Sequence, residues 1–107
     1  MKVALLFCTL ACVATATAAA DNEYSLSIRG HRFVPAELRV PAGRKIKLLV
    51  HNQDAAVEEF ESYQLDREKL IAAGATAKIY VGPLQPGRYP FYGEFHQDTA
   101  QGALIAE

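Results

Sequence analysis

The chain has 107 residues, with 11 basic and 12 acidic side chains, three histidines and half of its residues hydrophobic. That length suits one domain, and a net charge of -1 with no basic stripe excludes nucleic acid and anionic membrane surfaces as partners. Cys8, Cys12 and the only methionine, Met1, all lie near the N-terminus, so the rest of the chain offers no disulfide, thiolate or thioether.

Met1-Lys2 is followed by an apolar run, Val3 to Val13, broken only by Thr9, and then by small residues from Ala14 to Ala20. This is the order of a secretory signal peptide. Residues 1–20 are therefore read as the signal and 21–107 as the exported domain, with a periplasmic location expected. The run is too dilute for a spanning helix, which needs about 20 strongly apolar residues, so no membrane insertion is expected after cleavage. Without Lys2 the exported part carries 10 basic against 12 acidic residues. Lacking disulfides, it must hold itself by its core, a bound ion or a partner.

From Asp21 onward the dominant period is two. Tyr24, Leu26 and Ile28 alternate with polar residues, as do Leu38 and Val40, and Ile46, Leu48 and Val50. Ile79 and Val81 flank Tyr80, and Tyr89, Phe91 and Gly93 alternate before a closing Leu104-Ile105. Such runs are half-buried strands. Turn signals separate them at Pro41-Ala42-Gly43, Gly82-Pro83 and Pro86-Gly87. An all-β sandwich or barrel is expected. At most one short helix is expected, over Asp66 to Ile71 within the long connection from Ser62 to Ala75. Tyr63, Tyr80, Tyr89 and Tyr92 read as core or rim packing. No nucleophile–base triad, phosphate loop or zinc-type Cys/His spacing is present, so the sequence leans away from an enzyme.

Three patterns carry a family resemblance. Phe33 to Gly43 reads F-x-P-x-x-L-x-V-x-x-G, Val50-His51-Asn52-Gln53-Asp54 reads V-x-N-x-D, and Gly87 to His96 reads G-x-Y-x-F-x-G-x-x-H. Their order resembles the cupredoxin family, which implies a Greek-key β-sandwich with two ligand loops meeting at one end. The resemblance also brings Gly30-His31-Arg32 toward that end. The departures decide the chemistry. A blue copper site needs two histidines, a thiolate and a weak axial methionine. Here Gly93 stands at the cysteine position, Ala100 or Gln101 near the methionine, and Glu58 or Glu59 at the first histidine. Only His96 is unchanged. Type 1 blue copper is excluded on these residues.

Carboxylates replace the soft ligands. Glu58, Glu59 and Glu61 lie on the first loop, and Glu94, His96 and Asp98 alternate on the second. Read as strand, Glu59 and Glu61 share one face and Glu94 and His96 another. Gly93 would leave room for a larger coordination sphere. Strand alternation puts Glu58 on the Phe60 face, whereas Glu59-Phe60-Glu61 resembles the Glu-aromatic-Glu of cupredoxin domains associated with bacterial ferrous-iron permeases. The second argument is preferred here, because a loop need not alternate. The expected metal set is Glu59, Glu61, Glu94 and His96, with Glu58, Asp98 and His31 in reserve. The expected ion is iron or Cu(II), which suit oxygen-rich sites. The resemblance implies a metal-binding protein of high-affinity iron uptake, delivering iron to a membrane permease or other periplasmic component, or assisting Fe(II) oxidation. The alternative is a metal-free interaction module docking to a periplasmic partner.

Overall fold

The computed structural model describes residues 22–107, together with Ala4. The proposed signal segment and its cleavage point lie outside the described residues. Nine strands follow one another: β1 Glu23–Ile28, β2 Phe33–Val34, β3 Glu37–Val40, β4 Ile46–Asn52, β5 Glu58–Ser62, β6 Arg67–Ile71, β7 Thr76–Val81, β8 Gly87–Gly93 and β9 Gln101–Ala106. They form two sheets, ordered β2-β1-β4-β7 and β3-β9-β8-β5-β6. The parallel pairings β1 with β4 and β3 with β9 tie distant parts of the chain together. One 3-10 turn, Glu94–His96, follows β8. Among the described residues no helix is long and apolar enough to cross a membrane.

The alternating apolar residues meet between the sheets. Leu26, Ile28, Ile46, Leu48, Val50, Ile79, Val81 and Leu104 are all buried there. Each fully buried aliphatic side chain contributes about 1.5–3 kcal/mol by leaving water. Toward one end, Phe33, Phe60 and Phe91 form an aromatic wedge. Phe33 meets Phe91 edge-on at 4.8 Å between centroids, and Phe60 lies 5.0 Å from Phe91. This geometry suits ring quadrupoles and gives a stiff floor under the ligand loops.

Two expectations fail here. Asp66 to Ile71 does not form a helical turn. Arg67–Ile71 is instead β6, pairing antiparallel with β5 so that Ile71 faces Glu58 and Glu68 faces Glu61. The straight-chain residues Arg, Glu, Lys and Leu favour helix locally, but edge pairing and the buried Ile71 override that preference. Tyr63 is not packed in core or rim; it is 91% exposed in the turn between β5 and β6.

Candidate metal and histidine centre

The site is built from β5 outward. β5 keeps strict alternation, so Glu58, Phe60 and Ser62 are buried while Glu59 and Glu61 face outward. The inward residue is therefore Glu58, not the Glu59 and Glu61 pair. The reason is that β5 is a paired strand rather than a free loop, and a paired strand has period two.

Glu58 is 2% exposed and fully engaged. Its Oε1 accepts the backbone N–H of Glu59 at 2.9 Å and of Phe95 at 2.9 Å. Its Oε2 lies 2.6 Å from His96 Nδ1. Gly93 makes this possible. A side chain there would place its Cβ 2.7 Å from Glu58 Cδ and 2.7 Å from Ala100 Cβ. The missing side chain thus leaves no enlarged cavity, contrary to expectation: Glu58 and Ala100 fill the space. Of the two candidates near the methionine position, Ala100 is the buried one, and Gln101 is exposed on β9.

The second loop is not a strand. Glu94 and His96 lie in the 3-10 turn, where residues two apart point in different directions, so they do not share a face. His96 turns inward to Glu58. Glu94 is half-buried, and its charge reaches Tyr92 on the outer side. Asp98 is exposed.

His31 does reach this end. The β1–β2 hairpin turns through Gly30 and His31, at φ 60° and 57°, the positive values that two-residue hairpin turns demand. Asp54 clamps the turn, accepting Gly30 N–H at 2.8 Å and His31 N–H at 2.9 Å. Those donors hold the Asp54 carboxyl below its ordinary value, His31 N–H first, against the opposing effect of burial. Buried Asn52 sets the loop that carries Asp54. Its side-chain amide donates to the carbonyls of Ala56 and Ile71, and its Oδ1 accepts the Asp54 N–H. The His31 ring then stacks on His96, 3.6 Å between centroids and 12° between planes.

The outer face of β5 has a different character. Glu59, Glu61 and Glu68 bring carboxylate oxygens within 4.8 Å of one another. Glu68 was not among the expected site residues. It sits opposite Glu61 only because β6 is a strand. Glu59 is held above the ordinary carboxylate value, chiefly by a hydrogen bond shared with Glu61. Tyr92, opposite Glu61 on β8, is raised by burial and then by the surrounding carboxylates, Glu61 foremost. An open depression of about 760 Å³ beside them is lined by Glu61, Tyr63, Asp66, Arg67, Glu68 and Tyr92. The expected ligands are thus divided by β5: Glu58, His96 and His31 at the inner end, Glu59 and Glu61 outside, Glu94 next to Tyr92, and Asp98 apart.

This donor set does not fit type 1 copper. Beyond the first twelve residues the sequence has no sulfur donor, and Glu58 fills the volume into which a side chain at Gly93 would project. The carboxylates and imidazoles fit harder or borderline ions.

The comparisons agree with the fold. The chain is 47% identical over 87 residues to the uncharacterized protein RP394 of Rickettsia prowazekii (strain Madrid E), covering 79% of this chain and 70% of that protein. It is similar in structure to auracyanin A, a "blue" copper protein from Chloroflexus aurantiacus, with TM-score 0.68, 14% identity, and 79% of this chain against 98% of that one. A chain of a heme-copper terminal oxidase dimer also matches, with TM-score 0.68, 18% identity and 82% of this chain; the match spans 66% of that longer chain. At these identities the structural matches show the fold alone. The model of the cupredoxin-like domain matches residues 2–106, in keeping with the two sheets and the loop end just described, and the chain belongs to the cupredoxin-like domain family.

Proposed function

We propose that this chain is an exported, cupredoxin-like metal-binding protein that carries iron or Cu(II) on the outer carboxylate face of β5 and supports high-affinity iron uptake. Its partner in this reading is a membrane iron permease or another periplasmic iron-uptake component, with assistance of Fe(II) oxidation as a further role. The observation that carries it is the convergence of Glu59, Glu61 and Glu68 within 4.8 Å. Three carboxylates this close repel one another, and Glu59 is held above its ordinary value chiefly by Glu61 beside it. A di- or trivalent cation among them offsets that repulsion. Hard oxygen donors suit iron better than they suit Cu(I). The relation to copper proteins supports a metal role in general; the iron assignment rests on the carboxylates and on the Glu59-Phe60-Glu61 resemblance.

The test is a titration of the purified protein with Fe(II) under anaerobic conditions, Cu(II) and Zn(II), followed by calorimetry and thermal melts. An ion that binds only the folded state raises stability by about 2.7 kcal/mol at a hundredfold excess over Kd. Fe(II) or Cu(II) is expected to raise the midpoint of the native chain and not that of Glu59→Ala/Glu61→Ala. Equal binding to both proteins sinks the reading.

One observation favours the metal-free alternative. The Glu58–His96 pair closes the loop end by itself, at 2.6 Å and with every Glu58 oxygen engaged. In that case the acidic face is a docking surface, and chelators change neither stability nor partner binding.

A further inference from the structure

We infer that the chain associates with a second copy of itself through its two outer sheet faces. The lysine face of the β2-β1-β4-β7 sheet in one copy lies on the carboxylate face of β5 and β6 in the next. The contact uses the same outer carboxylates as the proposed cation site, but it rests on their charge and not on a bound metal.

The lysine face is assembled by strand pairing. Lys47 and Leu49 point outward from β4, where the alternate residues Ile46, Leu48 and Val50 are buried. Lys78 and Tyr80 point outward from β7, opposite Leu49 and Lys47. Lys45, just before β4, sets its Nζ 5.2 Å from the centre of the Tyr80 ring, a cation–π contact that places a third lysine on this side. Glu23 is the only acidic residue in the strands of this sheet, and it pairs with Lys47 at 3.4 Å. Among the described residues Lys45 and Lys78 have no ion-pair partner. The face is not a stripe in the sequence, because Lys47 and Lys78 meet only through the β4–β7 register.

The five-stranded sheet is divided differently. Toward β3, Arg39 pairs with Glu107 and Arg88 with Glu37, so the charges there cancel. On β5 and β6, Glu59, Glu61 and Glu68 stand together, and among the described residues no lysine or arginine pairs with any of them. Arg67, next to Glu68 in the chain, donates instead to the carbonyls of Leu65, Asp66 and Tyr80. Each face also carries exposed apolar bulk, Tyr80 on the first and Leu70 on the second, and Tyr63 stands in the turn beside the carboxylates. Tyrosines of this kind are common anchors of interfaces.

The two faces belong to different sheets and look outward from opposite sides of the sandwich, so one stays free when the other is covered. Charge decides which meets which. Either face laid on its own copy opposes like charges, and like charges brought together in an interface are unfavourable. The contact is therefore heterologous, lysine face to carboxylate face, and it repeats from copy to copy until a ring closes. At about 3.3 Å per residue the seven residues of β4 span about 23 Å, which places the contact at the small, transient end of protein interfaces. Exposed ion pairs contribute little each and are screened by salt. The association is accordingly weak and salt-dependent.

The experiment is analytical sedimentation of the full chain with a chelator present, at protein concentrations up to about 1 mM, the range of a weak contact. At about 0.01 M ionic strength, where the Debye length is about 30 Å, the mass is expected to rise with concentration past that of a dimer; at about 1 M, where it is about 3 Å, the monomer is expected to return. Lys45→Glu/Lys78→Glu and Glu59→Lys/Glu61→Lys are each expected to weaken association at least about tenfold at low salt, because ion pairs are lost and like charges are opposed. A one-to-one mixture of these two variants is expected to recover it, because the intact carboxylate face of the first meets the intact lysine face of the second; recovery also shows both to be folded. Lys78→Gln, a mild change at an exposed position, is expected to weaken association about two- to fivefold and keeps the test open should a double variant fail to fold. A native chain that is monomeric at both ionic strengths overturns the self-contact and leaves the two faces to partners of other sequence. Association that persists at high salt, a Lys78→Gln chain that associates as the native chain does, or folded double variants whose mixture shows no recovery also overturns it. Failure of the metal reading shows separately, as unchanged iron or Cu(II) binding in Glu59→Ala/Glu61→Ala.

Discussion

The two faces of β5 carry the same functional group under opposite conditions. Inside, Glu58 is a solitary buried carboxylate whose oxygens are all engaged by Glu59 N–H, Phe95 N–H and the His96 ring. Outside, half-buried Glu59 and Glu61 stand beside exposed Glu68, their carboxylate oxygens within 4.8 Å of one another. The inner carboxylate is completed by the fold; the outer ones face one another. Burial therefore does not by itself mark the candidate metal site proposed above. The satisfied group is structural, and the outer cluster is the one proposed above to bind a cation.

The sharpest way to break this contrast is to remove the inner carboxylate. Glu58→Ala leaves the Phe95 N–H and the His96 ring without their buried partner, and loss of one member of a buried pair costs about 3–5 kcal/mol. Urea unfolding should show that loss; a cost no greater than that of Glu59→Ala would erase the distinction between the faces. Next in size is Gly93→Ala. Its Cβ would stand 2.7 Å from Ala100 Cβ and Glu58 Cδ, and overpacking of that kind costs about 1–3 kcal/mol. If the variant instead melts with the native chain, the inner end is looser than described.

The smallest effect sharpens the outer side. Glu59 has a folded value raised above its ordinary one. A raised acid contributes stability that is present below its unfolded value, near 4.5, and lost as pH rises through the folded value. Glu59→Gln should therefore raise the melting midpoint slightly at pH 7 without metal, and the advantage should vanish when both proteins are melted well below pH 4.5. A midpoint that falls at pH 7 would show that the Glu59 charge is compensated.

Much of the fold was legible in the period-two runs, because β1, β4, β7 and β8 bury one face each and their apolar residues say so. β6 was not. Arg67 to Leu70 are all exposed, and only Ile71 turns inward, so the strand has almost no hydrophobic alternation to read. Glu68 was missed with it. The orientation of Glu58 was present in the alternation of Glu58, Phe60 and Ser62, but the motif resemblance pulled the other way. The His31–His96 stack was only half visible. His31 could be brought to the right end by resemblance, yet the Asp54 clamp joins groups 23 and 24 residues apart, and no local pattern records it.

The position of β6 at the rim of the five-stranded sheet has a bearing on solubility. An unpaired strand edge is a template on which other chains can add by backbone hydrogen bonding. Here the rim reads Arg67-Glu68-Lys69, with charges of both signs. Such charges discourage edge-to-edge stacking. Glu68 thus stands both beside the outer carboxylates and in the fence that keeps neighbouring molecules from joining sheets, so substituting it risks aggregation as well as loss of a carboxylate from the proposed cation face.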